Sequence, residues 1–278
     1  MKEKRQIIDT TLRDGEQSPY VCLSGPEKLK AAELLIATGV TRLEAGISAM
    51  GIAEQRLIGQ IVERKKNCQI SVWARLHPED VKQAISCGAD VVHVTVPTSY
   101  LHIYTKLGKN KFWVINRLYE ILGIMEGSQA GLSVGFEDAS RADLSFLMKL
   151  LGILEQRKIE RIRLADTVGA ASSFTIRELV RTVKDITAIP LEIHAHNDLG
   201  MAVANTAEAL KAGAQYADTT LLGIGERSGN CSFSELLKLI GPVYDTGISY
   251  DAAMAAEEEI KRILTARDPG LSFAEVMP

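Results

Sequence analysis

Eight times along the chain a short apolar, β-branched run gives way to a segment whose apolar residues recur at three- and four-residue spacing, and this alternation limits the fold more than any other feature. The runs read as strands are 7–12, 42–47, 69–76, 91–97, 132–138, 161–167, 191–196 and 216–224. Between them the helical spacing is clear in 27–38 (Leu29, Ala32, Leu35, Ile36) and in 177–186 (Leu179, Val180, Val183). Pro26 suits a first helical turn, where a missing N–H costs nothing, and Gly39 and Gly88 stand where helices should end in a left-handed residue. Parallel neighbours need a crossover and helices supply it, so the alternation predicts a parallel sheet. Eight such units in about 240 residues predict an α/β fold, a TIM-type (β/α)8 barrel. A doubly wound open sheet is the alternative, but it would place a G-x-G-x-x-G turn after the first strand, and residues 10–15 read TTLRDG. The expected organisation is a barrel over 1–242, closing with a helix at 232–240. A short helical tail follows over 243–278, with a helix at 250–267 and no folded domain after Leu271.

Composition narrows the partners. With 46% hydrophobic residues in 278, one sizeable core can close. Basic and acidic residues nearly balance, 32 against 35, and the longest basic block is Arg64-Lys65-Lys66, so a nucleic-acid partner is not expected. The charged start and the lack of any 18-residue apolar run argue against a membrane span or secretory signal, and a cytoplasmic protein is expected. Cys22, Cys68, Cys87 and Cys231 are irregularly spaced without a C-x-x-C pair, which reads as free thiols.

In a barrel, reactive residues gather where strands end. That rim holds Arg13, Asp14, Glu16 and Gln17 after the first strand, Glu44 in the second, Arg75 and His77 at the third, and Thr95 and His102 at the fourth. Glu137 and Asp138 end the fifth, Asp166 and Thr167 the sixth, and His194, His196, Asn197 and Asp198 the seventh; the eighth runs into Gly223–Asn230, GIGERSGN. His194 and His196 alternate, so both imidazoles point to one side of the strand. Alone, the pair reads more readily as two hydrogen-bonded core histidines than as metal ligands. With Asp14 and Asn230 from neighbouring strands it becomes a mixed nitrogen–oxygen site, suited to zinc, magnesium or manganese. Arg13 is either a structural salt bridge or a permanent cation set where a carbonyl oxygen gains charge. Of Glu137 and Asp138 only one can face the mouth; Glu137 is placed for proton transfer, whereas Asp138 is placed to cap residues 139–141. The glycine-rich stretch reads either as a phosphate cradle or as a structural turn.

Residues 8–17 (IDTTLRDGEQ), 194–200 (HAHNDLG) and 225–230 (GERSGN) together resemble the metal-dependent Claisen-condensing barrels, the 2-isopropylmalate, citramalate and homocitrate synthases, which are relatives of hydroxymethylglutaryl-CoA lyase. Within them, 44–51 (EAGISAMG) and 134–141 (VGFEDASR) look most like the nitrogenase-associated homocitrate synthases. The resemblance implies a divalent metal on Asp14, His194 and His196 with Asn230 at or near it. It implies Arg13 and Glu137 as catalytic residues, and Arg13, Gln17, Glu44, Arg75, His102 and Thr167 as contacts to a 2-oxo acid. Thr167 would hold that acid's carboxylate. Acetyl-CoA would be the co-substrate and 2-oxoglutarate the first acceptor, with 2-oxoisovalerate or pyruvate as alternatives. The lyase branch carries a reactive cysteine in a Gly-Cys-Pro loop where this chain has Gly225-Glu226-Arg227, so a retro-aldol lyase is the weaker reading. Family synthases continue well past the barrel into a helical region that covers a neighbour's site. The resemblance therefore implies a homodimer or a complex with a chain that supplies that region, and a barrel subunit that needs such a chain is a further reading.

Overall fold

The structure is a computed structural model describing residues 2–19 and 21–266. Its eight parallel strands are β1 (Gln6–Asp9), β2 (Arg42–Ile47), β3 (Gln69–Arg75), β4 (Val91–Pro97), β5 (Gly131–Glu137), β6 (Arg161–Asp166), β7 (Leu191–Ala195) and β8 (Tyr216–Thr219). Each pairs with the next, and β8 returns to β1 with Thr219 beside Asp9, which closes a TIM barrel. The crossover helices are α1 (Gly25–Ala37), α2 (Ile52–Arg64), α3 (Pro78–Ser86), α4 (Lys111–Glu126), α5 (Leu144–Leu154), α6 (Ser173–Ile186) and α7 (Ala202–Ala212), and α8 (Phe233–Ile240) follows β8. A last helix, α9 (Tyr250–Thr265), packs against α1 and α8 and buries Ala253, Ala256 and Ile260. The part of the expected tail beyond residue 266, including the end of its helix and the stretch after Leu271, lies outside the described residues. Among the described residues no helix is long and apolar enough to cross a membrane.

The outward strand faces explain the helix shell. Val92, Val94 and Val96 of β4, Leu132, Val134 and Phe136 of β5, and Ile162 and Leu164 of β6 are all buried. The inward faces differ from the usual branched aliphatic filling of such barrels. Here Arg161, Arg163, Glu192, Glu44, His93 and Asp218 are buried and largely paired with one another.

The strands match the sequence reading closely except at two places. β1 ends at Asp9, because its carboxylate accepts the Thr11 N–H at 2.9 Å and the chain then turns, with the N–H groups of Arg13, Asp14 and Gly15 all donating to the Thr10 carbonyl. β8 ends at Thr219, because Leu222 and Gly223 adopt left-handed φ values of 60° and 70°. The expected helix at 177–186 begins four residues earlier at Ser173, where the Ser172 hydroxyl accepts the Thr175 N–H. Gly39 and Gly88 have φ of 98° and 79°, as their place at helix ends requires.

Burial pushes the Asp9 carboxyl up, to about 7, against the stabilising Thr11 N–H. A raised carboxyl pKa means that the folded state holds the proton more tightly than the unfolded chain. This stabilisation is complete below about pH 4 and is lost as pH rises through 7. Asp9→Asn keeps the acceptor without the charge. It should match wild type near pH 4 and exceed it by ~2 kcal/mol at pH 8 in urea unfolding. Equal stability of the two proteins at pH 8 would contradict this.

Candidate metal centre and active-site cavity

The C-terminal mouth of the barrel opens on a cavity of about 220 Å³. Arg13, Asp14, Gln17, Thr167, His194, His196 and Glu137 line it, joined by Trp73, His93, Thr95, Lys106, Arg163 and Glu226. The turn after β1 brings Asp14 to β7, with its Oδ2 3.2 Å from His194 Nε2. His194 Nε2 in turn faces His196 Nε2 at 3.2 Å. Ligand atoms from all three residues lie within 4.8 Å of one another, and all three side chains are buried.

The electrostatics of this cluster are those of a cation site. Burial works against a proton on His194, but hydrogen bonds to Asp14 and Asp218 outweigh it and lift the imidazole to about 9. His196, buried beside that charge, falls to about 4. Burial opposes ionisation of Asp14 too, yet the Arg13 guanidinium and His194 hold its carboxyl well below the usual range. The cluster thus favours one positive charge among its ligand atoms. Among the described residues Asp14 Oδ1, His196 Nδ1 and Asn230 Oδ1 are buried without a hydrogen-bond partner, which a metal or its water would answer. The donor set fits a divalent ion.

Asn230 is brought in by the loop after β8. Its N–H donates to the Gly223 carbonyl at 2.8 Å and its Nδ2 to the Ile224 carbonyl at 3.2 Å. Gly225 must be glycine there: a Cβ would stand 2.1 Å from Asn230 Nδ2 and 3.4 Å from Asp14 Oδ1. The glycine-rich stretch therefore serves close packing beside Asp14. Arg227 clamps the rim, donating to the Thr167 carbonyl and to both oxygens of Asp198.

Arg13 bridges two carboxylates, with Nε on Glu44 at 2.6 Å and Nη1 on Asp14 at 2.6 Å. Thr167 Oγ1 accepts the Asp138 N–H at 2.8 Å. Glu137 faces the cavity, as the alternation predicts, whereas Asp138 sits in a left-handed turn at φ 60° and holds the Arg141 guanidinium by two bonds; the expected side-chain cap on residues 139–141 is not formed. Burial raises the Glu137 pKa, but the nearby His102 and Lys106 outweigh it and leave the group below its ordinary value. His102 stands behind Glu137, 3.2 Å from Oε1, and not on the cavity wall.

Besides His102, two expected substrate contacts stand apart from the cavity. Glu44 is fully buried with its oxygens taken by Arg13 and Arg163, so it orients these guanidinium groups instead. The Arg75 side chain is 64% exposed and holds Asp80 through two bonds, because β3 has already reached the rim; it borders a neighbouring apolar cleft with Trp73, Leu107 and Trp113.

Sequence reasoning passed over Arg163, His93 and Asp218. Arg163 bonds Glu44, Glu192 and Asp218, and Asp218 accepts from His194 Nδ1 at 3.0 Å. The available signal was the strand period, which puts Arg161 and Arg163 on the same inward face as Ala165. Asp218 fixes the His194 ring so that Nε2 points at Asp14. Asp218→Asn should lower divalent-ion affinity about tenfold, the usual worth of such an orienting carboxylate, with the fold retained. Calorimetric titration with Mn²⁺ checks this, and unchanged affinity would remove Asp218 from the site.

Comparison with known proteins agrees with this geometry. The HMGL-like family profile matches residues 4–259. The homocitrate synthase subunit alpha of Clostridium pasteurianum is 40% identical over 93% of this chain and 97% of its own length. The homocitrate synthase of Frankia alni is 43% identical over 83% of the chain, and 2-isopropylmalate synthase 2 of Caldanaerobacter subterraneus is 37% identical over 90%. The chain spans 66% and 65% of the length of these two relatives. Among solved structures, the HMG-CoA lyase of Bacillus subtilis superposes with a TM-score of 0.84 over 94% of each chain at 18% identity, a likeness of fold. The chain belongs to the HMGL-like family and is one of its acyltransferases.

Proposed function

We propose that the chain condenses acetyl-CoA with a 2-oxo acid in the cytoplasm, with 2-oxoglutarate as acceptor and homocitrate as product. The observation that carries this reading is the convergence of Asp14, His194, His196 and Arg13 on one cavity. A divalent ion held by Asp14, His194 and His196, with Asn230 beside it, would supply the Lewis acidity that polarises the acceptor's 2-oxo group. Arg13 aims its free N–H groups at the oxygen that gains charge, and its bonds to Glu44 and Asp14 fix the fork in advance of reaction. Thr167 and Gln17, on the cavity wall, bind the acceptor's first carboxylate. Glu137, kept ionised by His102 and Lys106, takes the proton from the acetyl methyl group.

A dicarboxylate acceptor is favoured by the wall opposite the ligand cluster. β4 lies across the barrel from β8, and there His93, Thr95 and Lys106 line the cavity. The Ser133 hydroxyl lies 2.5 Å from His93 Nδ1, and in the tautomer where that hydroxyl donates, Nε2–H is left as a donor toward the acceptor's far end. A screen of 2-oxoglutarate, pyruvate and 2-oxoisovalerate with acetyl-CoA, read by free-thiol release, tests the reading. Faster release with either monocarboxylate would shift the acceptor, and no release under any condition tested would remove the activity.

A partner completes the site in this reading, either a second copy or a separate chain. Exposed apolar side chains in the segments after β2 and β4 support it: Met50 and Phe112 are 74% and 70% exposed, and Tyr100, Leu101, Tyr104 and Leu107 are exposed as well. The Clostridium relative, which this chain matches over nearly its full length, is called a subunit. The lone chain should bind Mn²⁺ and 2-oxoglutarate, whereas condensation should accelerate ~10²-fold when the complementing chain is added, the worth of one positioned acid–base group. Full turnover by the lone chain would defeat the partner reading and leave the condensation reading intact.

A further inference from the structure

Helix α9 reaches the loop that carries Asn230 through the Glu257 carboxylate. Glu257 is 5% exposed, and its Oε1 accepts the N–H of Leu222 at 3.0 Å and that of Ser234 at 3.2 Å. These two amides bracket the loop that carries Gly225 and Asn230. Within the loop, Thr220 N–H donates to the Cys231 carbonyl at 3.1 Å, and Asn230 N–H to the Gly223 carbonyl at 2.8 Å. Leu222 is held at φ 60°, a left-handed conformation that a leucine leaves unless its surroundings over-determine it. Its donation to Glu257 is the bond that fixes it.

From this geometry we infer that Glu257 is a positioning residue for the metal ligands, acting from α9 through the Leu222–Gly223 turn upon Asn230. The chain of contacts has no slack. Leu222 sets the direction of Gly223, whose carbonyl receives the Asn230 N–H. The next carbonyl, Ile224, is held by the Thr220 hydroxyl at 2.6 Å and receives Asn230 Nδ2, which sets the orientation of the amide whose Oδ1 is buried without a partner among the described residues. If Glu257 no longer accepts, two amides inside the fold lose their partner, Leu222 relaxes toward ordinary φ, and Gly223 moves with it. Asn230 then loses the anchor that aims its oxygen. The inference rests on the proposed place of Asn230 at the metal, and it assigns to α9 a role beyond covering α1 and α8.

Calorimetric titration of the full chain with Mn²⁺ tests it. Glu257→Ala and Glu257→Asp, the latter charged but one methylene too short, should each lower affinity about tenfold or more. Glu257→Gln keeps an oxygen where both amides donate and should bind as wild type. Ile260→Ala removes packing from the same helix away from the loop. It should lower Tm without changing affinity, which separates positioning from general loosening. Leu222→Gly added to Glu257→Asp should deepen the loss, because glycine has no preferred direction to give Asn230. Wild-type affinity in Glu257→Asp, or an equal loss in Ile260→Ala, would overturn the inference while leaving the metal site in place. A wild-type protein that fails to bind Mn²⁺ would overturn the site itself and the inference with it.

Discussion

His196→Ala is expected to reduce divalent-ion affinity by more than tenfold and thiol release by ~10³ or more, with the far-ultraviolet circular dichroism spectrum unchanged. The histidine ring is buried and its Nδ1 has no hydrogen-bond partner among the described residues, so its packing can be replaced with modest loss of stability whereas its place as a metal ligand cannot. The partner group left behind is His194, still oriented by Asp218 and still 3.2 Å from Asp14. A weakened site with two intact ligands is therefore expected, not an unfolded barrel. Measuring Mn²⁺ binding and thiol release on the same preparation separates the cases. Tight binding with lost release would place His196 in catalysis alone, and unchanged binding and release would exclude it from the site.

Arg13→Lys should keep the positive charge and lose the fork. One ammonium cannot donate to Glu44, Asp14 and an oxygen in the cavity from the directions that Nε, Nη1 and the free N–H groups cover. Turnover should fall ~10²–10³, the cost of one mislaid oxyanion donor, while the acceptor KM changes by less than about threefold. Stability should fall by about 1–3 kcal/mol as Glu44, fully buried, loses part of its pairing. A variant with normal turnover at saturating substrate would return Arg13 to the role of a structural salt bridge.

The residues that sequence reasoning located best are those fixed by strand period and strand order. His194 and His196 share a face because they alternate, and Asp14 and Asn230 meet them because β1, β7 and β8 are neighbours in a closed barrel. Glu137 was separable from Asp138 on the same ground. Arg75 and Glu44 were misjudged as substrate contacts because position along a strand does not say how deep a side chain sits or what already claims it. The interior pairs were missed for a related reason. Arg161-Ile162-Arg163-Leu164 has the alternation of a strand with one wetted face, yet in a closed barrel both faces are buried and the polar one must find partners inside. The ends of β1 and β8 were overrun because Asp9 and Leu222 stop their strands through a side-chain acceptor and a left-handed leucine, and neither is visible as a turn residue in composition.

The buried pairing of Arg161 and Arg163 with Glu192, and of Arg163 and Arg13 with Glu44, has a consequence for how the cavity responds to its medium. Dissolved ions screen charges that they can approach, over about 10 Å at 0.1 M, and they cannot enter between groups packed in direct contact with one another. Lys106, with its side chain 63% exposed, belongs to the screened population. An anionic acceptor therefore loses the pull of Lys106 as potassium chloride is added, while the buried guanidinium–carboxylate pairs hold their geometry. Acceptor affinity plotted against salt should fall at first and then level off, with the initial slope set by the lysine at the lip and the plateau by donors held at fixed positions in the cavity.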